Sequence, residues 1–168
     1  DTYNILEKDN VTCSMVNKTD SYYLYNECDN RKVYIIPTNV KVYLSPSTQR
    51  SNSILPGYGY TNESEIMNII ADYLGPALES KGIVVFRNQP TMSVNESIAD
   101  SRSHEVDFHF AIHSNAGGGI GPEVWVHPNG TQTAYELADR IYNAVLSVYP
   151  DPSKGRGIRN NKSLAETN

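Results

Sequence analysis

The sequence predicts an α/β domain, a mixed and mainly parallel sheet flanked by helices, with a small N-terminal β appendage. Three observations lead there. From Val40 onward, short apolar runs alternate with longer segments of helical periodicity, the order expected of parallel strands joined by helical crossovers. The first of the longer segments opens on a capping residue, Thr61 or Asn62. Both cysteines, Cys13 and Cys28, fall inside the polar stretch 1–38, which sets that stretch apart from residues 39–168.

Within the appendage, Tyr22–Tyr25 and Lys32–Ile36 read as strands of a hairpin that stops at Pro37-Thr38-Asn39. A Cys13–Cys28 bridge would staple it and imply an oxidising compartment, with two unpaired thiols as the alternative. The core then opens with strand Val40–Leu44 and the loop Ser45-Pro46-Ser47-Thr48-Gln49. A helix follows from Thr61 or Asn62, with Ile66, Met67, Ile69, Ile70, Tyr73, Leu74 and Leu78 at helical spacing and Gly82 as its stop. Ile83–Phe86 is the second strand and Ser93–Ser103 the second helix. Asp107–Ile112 and Glu123–His127 are the third and fourth strands, and Thr131–Tyr149 is the third helix. The tail from Asp151 has no clear periodicity.

Composition narrows the partners. A net charge of −5 and the absence of any basic stripe argue against nucleic acid. No apolar run is long enough for membrane insertion, and no signal peptide opens the chain. The expectation is a chain that starts after such a peptide was removed, or inside a longer protein. Twelve tyrosines against three phenylalanines suit a surface that meets polar polymers.

The stretch 108–119, Phe-His-Phe-Ala-Ile-His-Ser-Asn-Ala-Gly-Gly-Gly, carries the chemistry. A buried strand ends in His113 and breaks into small residues, which delivers an imidazole to the rim of the sheet where open α/β folds place their sites. Strand alternation puts His109, Ala111 and His113 on one face and Phe108, Phe110 and Ile112 on the other. At a rise of ~3.3 Å per residue the two histidines stand about 13 Å apart, so an ion at His113 needs ligands from elsewhere. A strand-end histidine bonded to a loop carbonyl is the plainer alternative. Glu63, in the first turn of the first helix, is explained on its own by the helix dipole. Paired with His113 on a neighbouring strand end, it makes a metal site the better account, and zinc in hydrolases commonly takes His and Glu ligands.

These residues resemble a known family. Asn62-Glu63, Ala111-Ile112-His113-Ser114-Asn115-Ala116, Gly121-Pro122-Glu123-Val124-Trp125-Val126 and Arg156-Gly157-Ile158 are similar to the zinc-dependent N-acetylmuramoyl-L-alanine amidases of the amidase-3 type. The Ser-Pro-Ser-x-Gln loop is like that of a clostridial and phage-associated branch. The likeness runs from Val40 to the C-terminus. It implies a six-stranded mixed sheet and one zinc held by His, Glu and His, with Glu63 and His113 as two of the three. It further implies a wall-associated or extracellular hydrolase that cuts the amide between N-acetylmuramic acid and L-alanine of peptidoglycan by zinc-activated water. Asn115, Gly117 and Gly118 would then line the substrate groove; His109, on the site-facing side of its strand, would either orient a ligand from behind or be a satisfied core histidine.

The chain departs from that pattern twice. Thr48 stands where the family has its first histidine; Gln49 or Asn52 could offer an amide oxygen instead, and the loop's resemblance to that branch makes Gln49 the expected third ligand, a weaker one than imidazole. The family's general-base glutamate follows a Pro-Ala-Val-Leu-like segment on a last strand. Glu166 comes too early to match it, so the catalytic glutamate is expected beyond Asn168, with the last strand. Both departures also suit a non-catalytic peptidoglycan-binding module on a degenerate amidase fold. A metal-dependent peptidase cutting within the stem peptide is a third reading.

Overall fold

The computed structural model describes residues 40–52, 59–114 and 119–167, and before them the backbone of five short strands. Strand β1 (Glu7–Lys8) pairs antiparallel with β2 (Val11–Thr12). Strands β3 (Met15–Val16), β4 (Tyr23–Asn26) and β5 (Lys32–Tyr34) form a second antiparallel sheet, with Tyr23 opposite Tyr34. Cys13 and Cys28 lie outside the described residues.

The core elements follow as β6 (Lys41–Pro46), α1 (Glu63–Glu79), β7 (Val84–Arg87), α2 (Val94–Ser103), β8 (Phe108–Ile112), β9 (Glu123–Val126), α3 (Gln132–Val148) and β10 (Gly157–Asn160). Short 3₁₀ turns occupy Pro152–Lys154 and Ala165–Thr167. Strand β6 is central and parallel to β7 on one side and to β8 on the other, with Val42 opposite both Val85 and Phe108. Such pairings require crossovers, which α1 and α2 supply. The α/β class with a parallel sheet and helices is therefore as expected. The sheet is not one continuous six-stranded layer: among the described residues, β9 and β10 form a separate parallel pair.

The pattern of β6 explains why it lies at the centre. Val42 and Leu44 pack with Ala71, Leu74 and Leu78 of α1, and Val85, Phe108, Phe110 and Ile112 close the same cluster. Burying side chains of this kind contributes roughly 1.5–3 kcal/mol each. Tyr43 and Ser45 point to the opposite face, where the Tyr43 hydroxyl donates to Asp100 of α2 at 2.7 Å. A strand with apolar residues on one face and tyrosine and serine on the other is thus covered on both.

Local chemistry sets the helix starts. Asn62 accepts from the Glu65 amide at 3.2 Å, and Thr131 from the Ala134 amide at 3.1 Å. Ser93 and Glu96 exchange two bonds in a capping box. Gly82, in the turn after α1, has φ +81°, the left-handed conformation glycine takes most readily.

The tail holds more structure than its sequence suggests. Strand β10 is fixed by distant partners: Glu123 pairs with Arg156 at 3.2 Å and Arg159 at 3.4 Å, and the Arg159 guanidinium lies 5.6 Å from the Trp125 ring centre. Gly121 (φ +103°) admits no side chain, because a Cβ there would meet the Lys154 carbonyl oxygen at 1.8 Å. This close approach clamps the β8–β9 connection to the turn before β10.

Leu44 is fully buried and Val148 is 80% exposed. Leu44→Ala is expected to lower unfolding free energy by about 2–5 kcal/mol in urea denaturation. Val148→Ala should stay within about 0.5 kcal/mol of the parent.

Candidate active site

The carboxyl ends of parallel strands form the crevice where this class of fold binds its ligands. Three segments meet there. The Ser47 amide donates to the Ile112 carbonyl at 2.9 Å, extending the β6–β8 pairing and setting the loop after β6 beside His113. The Glu63 amide donates to the Asn52 carbonyl at 2.9 Å, which pins the first residue of α1 to the same loop. Glu63 is consequently 1% exposed.

A carboxylate so buried needs partners. Glu63 Oε1 lies 3.0 Å from His113 Nδ1 and accepts the Ser114 amide at 3.1 Å. Its Oε2 accepts from Asn52 Nδ2 at 2.7 Å. Burial alone would raise the Glu63 pKa. Bonds from Asn52, Ser114 and Ser47, with the charge of His113, outweigh it and hold the carboxyl below its ordinary value.

The opposite edge of the His113 ring meets Glu166, which the 3₁₀ turn at Ala165–Thr167 carries in. Nε2 lies 2.7 Å from Glu166 Oε2. The other carboxylate oxygen accepts from Ser45 Oγ at 2.6 Å and lies 3.2 Å from His109 Nε2. His109 stacks on Tyr43 with ring centres 5.3 Å apart. Here too burial pushes the acid upward, and bonds from His109, His113 and Ser45 prevail, bringing Glu166 down to about 2. His113 moves the other way: its bond to Glu166 raises its pKa against burial, aided by the charges of both glutamates.

Of the residues singled out in the sequence, Glu63 and His113 face each other across the crevice. Gln49 reaches them through an intermediary: Asn52 Nδ2 donates to Gln49 Oε1 at 2.7 Å and to Glu63 as well. His109 is joined to His113 by one carboxylate, Glu166, although the strand separates the two rings. Asn115, Gly117 and Gly118 lie outside the described residues. In the sequence Glu166 stands too early to match the family pattern, and Ser45 belongs to the loop after the first strand. No local motif marks either, because their meeting spans 121 residues of chain. Asn88, 3% exposed, braces the loop by donating to the Pro46 carbonyl at 3.0 Å and to Ser97 Oγ at 3.2 Å.

Glu63 and His113 are the pair here that could share a divalent ion. Two donors on one tetrahedral zinc, at bonds of about 2.0–2.2 Å, stand roughly 3.3–3.6 Å apart, so the pair would open slightly from its hydrogen-bond separation to take the ion. Here Oε1 and Nδ1 stand at 3.0 Å. Among the described residues, no group of three or more His, Cys, Asp or Glu gathers around one ion position. Among the described residues a third donor would be of the amide or hydroxyl kind: Asn52 touches Glu63 directly, and Gln49 stands one hydrogen bond further out.

The shifts fix a pH window for stability without metal. Glu166 is lowered from 4.5, so its contribution is whole above 4.5 and is lost as pH falls toward about 2. His113 is raised from 6.5, so its contribution is whole below 6.5 and is lost as pH climbs through the raised value. Urea denaturation of the metal-free chain is expected to show these groups' combined contribution greatest between those two limits. Glu166→Gln should flatten the acid limb. A parent profile flat from about pH 2 to pH 9 would contradict the geometry.

No protein-family profile and no curated protein matches the chain. Solved structures do. N-acetylmuramoyl-L-alanine amidase AmiC2 of Nostoc punctiforme superposes with a TM-score of 0.60 at 21% identity, over 73% of this chain and 69% of that one. N-acetylmuramoyl-L-alanine amidase from Clostridium difficile 630 gives 0.60 at 20% identity, over 78% and 75%. The catalytic domain of the CD27L endolysin targeting Clostridia difficile gives 0.51 at 20% identity, over 75% and 72%. At these identities the likeness is one of fold: the chain has the fold of amidase catalytic domains.

Proposed function

We propose that this chain is a peptidoglycan hydrolase of the cell wall that cuts the amide between N-acetylmuramic acid and L-alanine of the stem peptide. The observation that carries the reading is the 3.0 Å approach of Glu63 Oε1 to His113 Nδ1 at the carboxyl end of a parallel sheet. The fold is shared with structures whose names say amidase. No helix among the described residues is long and apolar enough to cross a membrane, which is compatible with action at the wall.

Glu63 and His113 would hold the ion, zinc in this reading, with the Gln49 amide oxygen as the third donor. When bound, the ion supplies Lewis acidity to polarise the scissile carbonyl. The protein's own part is to keep the pair aligned. The Ser114 amide and Asn52 fix the two oxygens of Glu63, and the α1 N-terminus favours the negative charge there. Asn115 and the glycines at 117 and 118 would border the peptide side of the groove.

One observation favours a second reading, a wall-binding module without catalysis. Both Glu63 oxygens are already matched by protein donors, so the pair is stable as an ion pair in its own right.

Metal analysis and muropeptide mass spectrometry separate the two. The hydrolase should hold about one zinc per chain and release stem peptides with a free L-alanine amine from purified walls. His113→Ala should lose both properties, with product formation down at least about 100-fold. Wall binding with no metal and no new amine would leave the binding module. Cleavage between stem-peptide residues would point to a peptidase instead.

A further inference from the structure

Glu166 has no part in that reading, yet it is among the best anchored charged groups in the crevice. Its carboxylate has 12% side-chain exposure. One oxygen takes the hydroxyl of Ser45, a residue 2% exposed on the central strand, and the edge of His109; the other faces His113. It is therefore held from three sides, by β6, β8 and the residue that follows β8.

The ring of His113 has two nitrogens and two carboxylate neighbours on opposite edges: Nδ1 faces Glu63 at 3.0 Å and Nε2 faces Glu166 at 2.7 Å. A neutral imidazole carries one N–H, and an ionised carboxylate only accepts. A nitrogen that binds a metal must offer its lone pair, so the other must carry the hydrogen. Nε2, the nearer of the two to a carboxylate, is the nitrogen suited to donate. Nδ1 then keeps its lone pair on the side where Glu63 stands.

Resting on the metal reading above, we propose that Glu166 is the positioning residue for His113: by accepting the Nε2 hydrogen it turns Nδ1 toward Glu63 and reserves that nitrogen for a divalent cation. Carboxylates behind metal-bound histidines act in this way, and their loss typically weakens metal binding 10–100-fold. Ser45 and His109 serve Glu166, since they prevent its carboxylate from rotating away.

The test uses the whole chain with zinc, or cadmium as its NMR-active substitute, and needs no substrate. In competition with a chromophoric chelator, Glu166→Ala should bind zinc about 10–100-fold more weakly than the parent. Glu166→Gln keeps a carbonyl acceptor and should recover part of the loss; Ser45→Ala should give a smaller one. With cadmium-113 and nitrogen-15 labelled histidine, the parent should show metal coupling at Nδ1 of His113 and a hydrogen on Nε2. Coupling at Nε2 overturns the proposal, and so does unchanged affinity in a folded Glu166→Ala. The Nδ1 assignment is read from the parent alone, so a variant that fails to fold does not protect the proposal. A parent that binds no metal overturns the ion site itself, and this inference with it. Metal binding by the parent with no effect at Glu166 overturns this inference alone.

Discussion

One buried carboxylate organises the upper face of this molecule. Glu63 is almost wholly removed from water, and an unmatched charge in that position would cost several kcal/mol. The chain meets the demand from three directions, with the loop after β6, the backbone beyond β8 and the imidazole of His113. The position of helix α1 relative to the sheet follows, because its first residue is tied to Asn52 and Ser114. A crevice, a fixed imidazole and a defined helix entry are consequences of the same electrostatic requirement.

The array continues beyond Glu63. His113 lies between two carboxylates, and the second, Glu166, leans on Ser45 and His109. Each member satisfies its neighbour, so the charges are stable only as a group. The same arrangement that aligns a pair of donors also lets the site persist as an ion pair when it holds none. The two proposed readings would differ in what the pair holds, with the same scaffold beneath.

Much of the scaffold was legible in the sequence because its signals are local. Helical spacing from Ile66 to Leu78 and the alternation of Phe108, Phe110 and Ile112 each specify an element without knowledge of the rest. Glu63 and His113 were legible as well, since a helix start and a strand end are places with known chemistry. Strand β10 was not, for Gly157–Asn160 has no pattern of its own and is held by Glu123 and Trp125, some 30 residues earlier. Glu166 was hidden for a related reason. Its position against a motif suggested irrelevance, whereas its burial depends on Ser45 and His109, which no short window contains. Gln49 shows the converse: the loop suggested a ligand, and the structure joins it to the site through Asn52.

Glu63, His113 and Glu166 come from three well-separated parts of the polypeptide, and Ser45 meets Glu166 across 121 residues. During translation the ribosome releases the first of these groups long before the last. A nascent chain that has emerged as far as α3 owns a helix start and a strand end but not the carboxylate that steadies the imidazole between them. Assembly of the complete array therefore waits for residue 166 to emerge, long after the helix start and the strand end that it joins.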